Sequence, residues 1–192
     1  MTANPAVKAI VLEIDSPGGM AAGISEFAAQ VRAASKMTPV VAYVSDMGAS
    51  AAYWIAAACD RIHIGDTASV GSIGVVRAVP NPKASSAGDI EIVSSQSPNK
   101  RPDISTEGGR AVVQGEVDSL ADVFASRVAL YRGVGADVVL ERFGRGGCLI
   151  GADAVKAGMA DGLSSFEAVI AETSGAQPDL GGPRLTTTTT VT

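Results

Sequence analysis

The sequence predicts an α/β fold in which repeated β-α units make the first half and helices dominate the second. Three observations carry this reading. Short β-branched runs alternate with helical stretches up to about residue 76, tight-turn residues separate each run from the helix after it, and beyond residue 109 the apolar residues recur at three- and four-residue spacing.

The elements follow in order. Val7 to Ile14 is an apolar run that stops at Asp15-Ser16-Pro17-Gly18-Gly19, so it reads as a strand entering a tight loop. From Met20 to Met37, Ile24, Phe27, Val31 and Ala34 form one stripe of an amphipathic helix. Pro39 to Ser45 is strand-like, Asp46 to Ala49 turns, Ala51 to Ala58 is helical, and Arg61 to Ile64 is a third strand. This alternation implies parallel strands joined by right-handed crossovers. Val70 to Val76 and Ile90 to Val93 supply further extended segments, with a Pro-, Ala- and Ser-rich loop between them. A long helix is expected from Gly109 to Arg132, then shorter ones over Asp137 to Phe143, Ala152 to Ala157 and Phe166 to Glu172. Beyond Ser174 the composition shifts to Gly, Pro and Thr with no apolar period, so residues 174–192 are expected to be a disordered tail behind one domain, residues 1–173.

Composition narrows the function classes. A chain of 192 residues with 46% hydrophobic content buries a core without disulfides or metals. The net charge of -5 argues against a nucleic-acid or anionic-membrane partner. Two distant cysteines, Cys59 and Cys148, and the single histidine His63 do not make a zinc site, and neither a metal nor a cofactor is expected. The N-terminal residues lack a signal-peptide pattern and no apolar run reaches about 18 residues, so a cytoplasmic chain without a stable membrane anchor is expected.

Ser50 is the candidate nucleophile. It stands between a strand and an alanine-rich helix, where a turn exposes its hydroxyl among free first-turn N–H groups suited to a developing oxyanion. A serine needs a base. His63 opens no easy path, because the helix leaving Ser50 carries the chain roughly 13 Å away before the His63 strand begins. A desolvated lysine can serve instead. Lys100 lies in the polar loop Ser94 to Pro102, which could fold over the site, although spacing alone favours a solvated loop lysine. Gly18-Gly19 permits close approach of a substrate backbone, and with the Ser50 turn at the carboxyl end of the next strand it offers one oxyanion hole from two turns.

At these residues the sequence resembles the signal peptide peptidase (SppA) family of serine proteases, and more closely its phage capsid-assembly (prohead) branch. The resemblance rests on Ile14 to Gly19, on Met47-Gly48-Ala49-Ser50-Ala51-Ala52-Tyr53-Trp54 with its continuation to Ile62, and on Val70-Gly71-Ser72-Ile73-Gly74-Val75, and it covers about Pro5 to Glu172. It implies a crotonase-like (Clp protease-like) fold and a Ser-Lys dyad of Ser50 and Lys100, with Lys83 as the fallback lysine. It further implies that Ser72 helps position the amine and that Gly19 and Ala51 give the oxyanion-hole N–H groups. Implied partners are protein or peptide substrates, possibly capsid or portal proteins, bound as extended strands by a homo-oligomer in the host cytoplasm or procapsid. Relatives carry one or two strands and a helix ahead of Pro5, so a domain short at its N-terminus is expected, one that either folds poorly or relies on a neighbouring subunit.

Two other readings accompany the peptidase. A crotonase-like acyl-CoA enzyme shares the paired-turn oxyanion hole and the Ala154 to Asp161 pattern, with Asp46 as the only close carboxylate. A non-catalytic oligomeric assembly protein would keep the fold alone.

Overall fold

The computed structural model describes residue 4, residues 6–79 and residues 92–175. Val40 to Val44 are all buried because the strand they open, β2 (Val40–Ala49), has cover on both faces. A strand in that position reads as a continuous apolar run rather than an alternating one. Strand β1 (Ile10–Ser16) lies parallel along one edge of β2. The other edge is shared by β3 (Arg61–Ile64), parallel to Val41 to Val44, and β4 (Ser69–Gly71), parallel to Met47 to Ala49. The sheet therefore forks where β2 passes Ser45 and Asp46. Strand β5 (Cys148–Ile150) pairs antiparallel with β4, and β6 (Gly162–Leu163) pairs parallel with β3.

At the fork the register slips. While β1 advances from Ile14 to Ser16, β2 advances from Val44 to Gly48, so β2 carries the extra residues of a bulge. Asp15 Oδ1 accepts the N–H of Met47 there at 3.3 Å. The bulge bends the end of β2 away from β3 and delivers it to β4.

Among the described residues six α-helices flank the sheet: α1 (Ile24–Ser35), α2 (Ala51–Ala57), α3 (Glu107–Arg132), α4 (Ala136–Arg142), α5 (Gly151–Ala157) and α6 (Phe166–Ser174). Val40, Ala42 and Val44 share the main core with α2 and with Phe124, Ala125, Val128 and Ala129 of α3. Val41 and Tyr43 face the opposite way, against Val169 of α6, and the Tyr43 and Phe166 rings lie 5.8 Å apart. Helix α2 is mostly alanine because it is packed inside the core, with Ala56 and Ala57 at zero exposure.

Several boundaries differ from the sequence expectation. Asp46 to Ala49 is strand, not turn, because Met47, Gly48 and Ala49 pair with β4. Helix α3 begins at Glu107, since Thr106 Oγ1 accepts the N–H of Gly109 at 3.0 Å and caps it. Of the expected strand Val70 to Val76 only the first two residues are strand, and Ile92 and Val93 are in none. Ser174, assigned to the tail, closes α6. The rest of that tail beyond Gly175 lies outside the described residues.

The first turn of α2 is tied down by polar contacts. Tyr53 donates to the carbonyl of Met159 at 2.9 Å, and burial pushes its phenol above the ordinary pKa. Arg132 bonds both carboxylate oxygens of Asp161 at 2.8 and 3.1 Å and the Gly158 carbonyl at 3.0 Å, while Asp161 also accepts the N–H of Ile62 at 2.7 Å. Burial alone would raise the Asp161 carboxyl. The hydrogen bonds from Arg132 and Ile62 and the Arg132 charge outweigh it and hold the group below its ordinary 3.8. A carboxyl lowered on folding stabilises the fold above its unfolded pKa and loses that contribution as pH falls through the folded value. Arg132→Ala should therefore cost about 2–3 kcal/mol in urea unfolding at pH 7, at the low end for a paired charge because the Asp161 side chain keeps 35% exposure. The gap between wild type and variant should narrow below pH 3.8.

Candidate active site

Ser50 occupies the single residue between β2 and α2, with φ 53 and ψ -123. A non-glycine residue at positive φ costs on the order of 1–3 kcal/mol and persists only where its surroundings fix it. Three contacts do so. The Ser50 N–H donates to the Gly71 carbonyl at 2.7 Å, and the Ser50 carbonyl accepts the N–H of Trp54 at 3.1 Å as the first bond of α2. Gly18, at φ 106, lies so close that a Cβ there would sit 2.6 Å from Ser50 Cβ and 2.8 Å from the Ala49 carbonyl oxygen. The Gly18-Gly19 pair thus divides its work: Gly18 packs against Ser50, and Gly19 opens on free space.

Ser50 lines a cavity of about 590 Å³, a size that holds a small ligand or several peptide side chains. Gly19, Ala51 and Ser72 line it with Ser50. The backbone N–H groups of Gly19 and Ala51 have no hydrogen-bond partner among the described residues. Trp54 and Phe124, stacked at 4.5 Å and 9°, give it an apolar wall, and none of its lining residues is charged. Ser72 also takes positive φ, 53, and its N–H donates to the Gly147 carbonyl at 2.8 Å. A hydroxyl, two unspent N–H donors and a water-poor wall are the parts of an acyl-transfer site.

No lysine, histidine or carboxylate is among the residues that line the cavity. Lys100 ends an exposed 3₁₀ turn, Pro98–Lys100, and lines a separate pocket with Ile92, Val93, Ser94 and Arg101. Lys83 lies outside the described residues. His63 faces α6, with Nε2 3.7 Å from Glu172 Oε2, on the side of the sheet that Tyr43 shares and α2 does not. Asp46 is exposed and absent from the cavity lining. Cys59 is buried, its thiol pushed up to about 12 chiefly by desolvation, and Cys148 is exposed. Among the described residues no group of three His, Cys, Asp or Glu side chains is placed to hold a metal, and no helix is long and apolar enough to cross a membrane. Phe124 and Gly146 also line the cavity, and no sequence motif singles them out.

A serine raised at a strand-to-helix turn of a forked, mostly parallel sheet, beside two free backbone donors, belongs to the Clp protease and crotonase class of α/β folds. The profile of Peptidase family S49 matches residues 32–177, and the chain belongs to that family. It is 32% identical over 166 residues to Capsid assembly protease C of Escherichia phage lambda, covering 83% of this chain and 37% of that protein. Head-tail preconnector protein GP5 of Enterobacteria phage P21 is 32% identical over 168 residues, covering 84% and 33%. The chain thus spans about a third of the length of these curated relatives. A solved structure of the 1510-N membrane-bound stomatin-specific protease with a substrate peptide superposes with a TM-score of 0.57 at 19% identity, over 87% of this chain and 65% of that one, and shares the fold.

Gly18→Ala tests how the turn is held. The added methyl meets Ser50 and Ala49, at a φ that alanine rarely adopts, so the variant should lose about 2 kcal/mol of stability and displace the hydroxyl. Urea unfolding reads the first effect. The rate of fluorophosphonate labelling at Ser50 reads the second and should fall along with it.

Proposed function

We propose that this chain is the catalytic domain of a serine endopeptidase whose nucleophile is Ser50 and whose general base is Lys100. The observation that carries the reading is the strained Ser50 turn, open to a cavity that also presents the free N–H groups of Gly19 and Ala51. In the proposed cycle a neutral Lys100 amine takes the Ser50 proton as Oγ adds to the peptide carbonyl. The two backbone donors hold the tetrahedral oxyanion, and the ammonium returns its proton to the leaving amine. Water, activated by the same amine, then hydrolyses the acyl-enzyme.

Lys100 meets that role only when its turn carries the amine into the cavity, out of water, since desolvation is what keeps an amine neutral. Ser72, already on the cavity wall, would accept a hydrogen bond from it there. The names of the phage relatives, a capsid assembly protease and a head-tail preconnector protein, support head or portal proteins as substrates. The same proposal has the chain act as a homo-oligomer in the host cytoplasm or procapsid. The acyl-CoA reading lacks a base in the cavity, because Asp46 is not part of its lining.

Active-site titration with a fluorophosphonate separates the possibilities. The wild type should label and Ser50→Ala should not; equal labelling of both overturns the assignment. Lys100→Ala should slow labelling and casein cleavage by about a hundredfold or more, whereas Lys83→Ala should stay near wild type. The opposite ranking moves the base to Lys83. A folded wild type that neither labels nor cleaves casein favours the non-catalytic assembly protein.

A further inference from the structure

The loop that borders the Ser50 cavity on the β5 side holds an unusual arginine. Gly144, Arg145 and Gly146 all take positive φ, 82, 50 and 85. Left-handed backbone costs a non-glycine residue about 1–2 kcal/mol, and a third glycine would serve the turn without that cost. The loop itself is well fixed. Gly147 donates its N–H to the Gly144 carbonyl at 2.8 Å, and its own carbonyl receives the N–H of Ser72. Gly146 lines the cavity, which places Arg145 at the rim.

The Arg145 side chain is exposed and has no hydrogen bond or ion pair among the described residues. Arg77, the other arginine next in sequence to a cavity-lining residue, is paired with Glu116. The cavity supplies no charge of its own. A strained, unpaired guanidinium beside an uncharged binding site, on a chain of net charge -5, is placed to meet a carboxylate that arrives with the ligand.

We propose that Arg145 is a specificity residue that binds an acidic side chain of the peptide substrate near the bond to be cut. The proposal rests on the serine peptidase reading for its substrate class, yet its test needs no turnover. Being away from the reacting atoms, the contact acts on binding, so in cleavage it should appear in KM and leave kcat alone.

Binding to the Ser50→Ala protein, by fluorescence anisotropy, uses C-terminally amidated, fluorescein-labelled alanine-rich octapeptides that carry one Glu, or its Gln isostere, at each central position in turn. At one position Glu should bind about three- to fivefold tighter than Gln at low salt, the scale of an exposed ion pair. That preference should vanish when Arg145→Gly is added and in about 1 M salt. Arg145→Gly should also raise the thermal midpoint by removing the strain, whereas a residue kept for folding would lower it. Equal binding of Glu and Gln peptides at every position, binding of neither, or a preference that survives Arg145→Gly overturns the proposal. So does a preference that follows a free C-terminal carboxylate on the Gln peptide instead of Glu. Failure of the peptidase reading shows separately, as absent fluorophosphonate labelling of the wild type.

Discussion

The hydrogen bond from the Ser50 N–H to the Gly71 carbonyl, 2.7 Å long, joins the end of β2 to the end of β4 at the point where the chain reverses into α2. With the Trp54 N–H on the Ser50 carbonyl and Gly18 packed against the side chain, it holds a serine at positive φ against its own preference for the extended or helical basins. The bond requires β4 beside the last residues of β2, which requires the bulge that turns β2 out of register with β1. It also requires β5, because the Gly147 carbonyl fixes Ser72 immediately beyond Gly71, where a Cβ would lie 2.6 Å from that same oxygen. The site is thus assembled from four separated stretches, around residues 18, 50, 71 and 147.

Rigidity behind the turn matters as much as the turn. Helix α2 starts just after Ser50 and is anchored three residues on by Tyr53 on Met159 and, beneath that, by Arg132 gripping Asp161 and Gly158. Trp54, next to Tyr53, is clamped against Phe124 of α3. A side chain held at the start of a helix so packed keeps its orientation under load. The same packing explains the small residues of α2, since longer side chains at Ala56 and Ala57 have nowhere to go.

Much of this was legible in the sequence, and what was missed shares a physical cause. The helices of residues 24–35 and 107–132 announce themselves because an apolar stripe repeats over several turns. Ser50, Gly19, Ala51 and Ser72 were legible because each sits in a turn motif next to an element with a clear period. The last residues of β2 were misread because Ser45-Asp46-Met47-Gly48 is polar and small, while their strand character comes from pairing with a partner more than twenty residues on. Strands of three and two residues, such as β5 and β6, are too short to show any period. Where Lys100 stands was never written in local spacing, because a loop's path over a surface depends on contacts distant in the chain.

The contrast between the two cysteines has a practical side. Cys59 is sealed in the core, with its thiol held protonated, while Cys148 stands open on β5, directly across the ladder from Gly71. Maleimide chemistry follows accessibility and thiolate content, so a dye would attach at one position of the native chain without any engineered handle. That position is one strand pairing from the Ser50–Gly71 bond, which makes its emission a local gauge of whether the turn is intact.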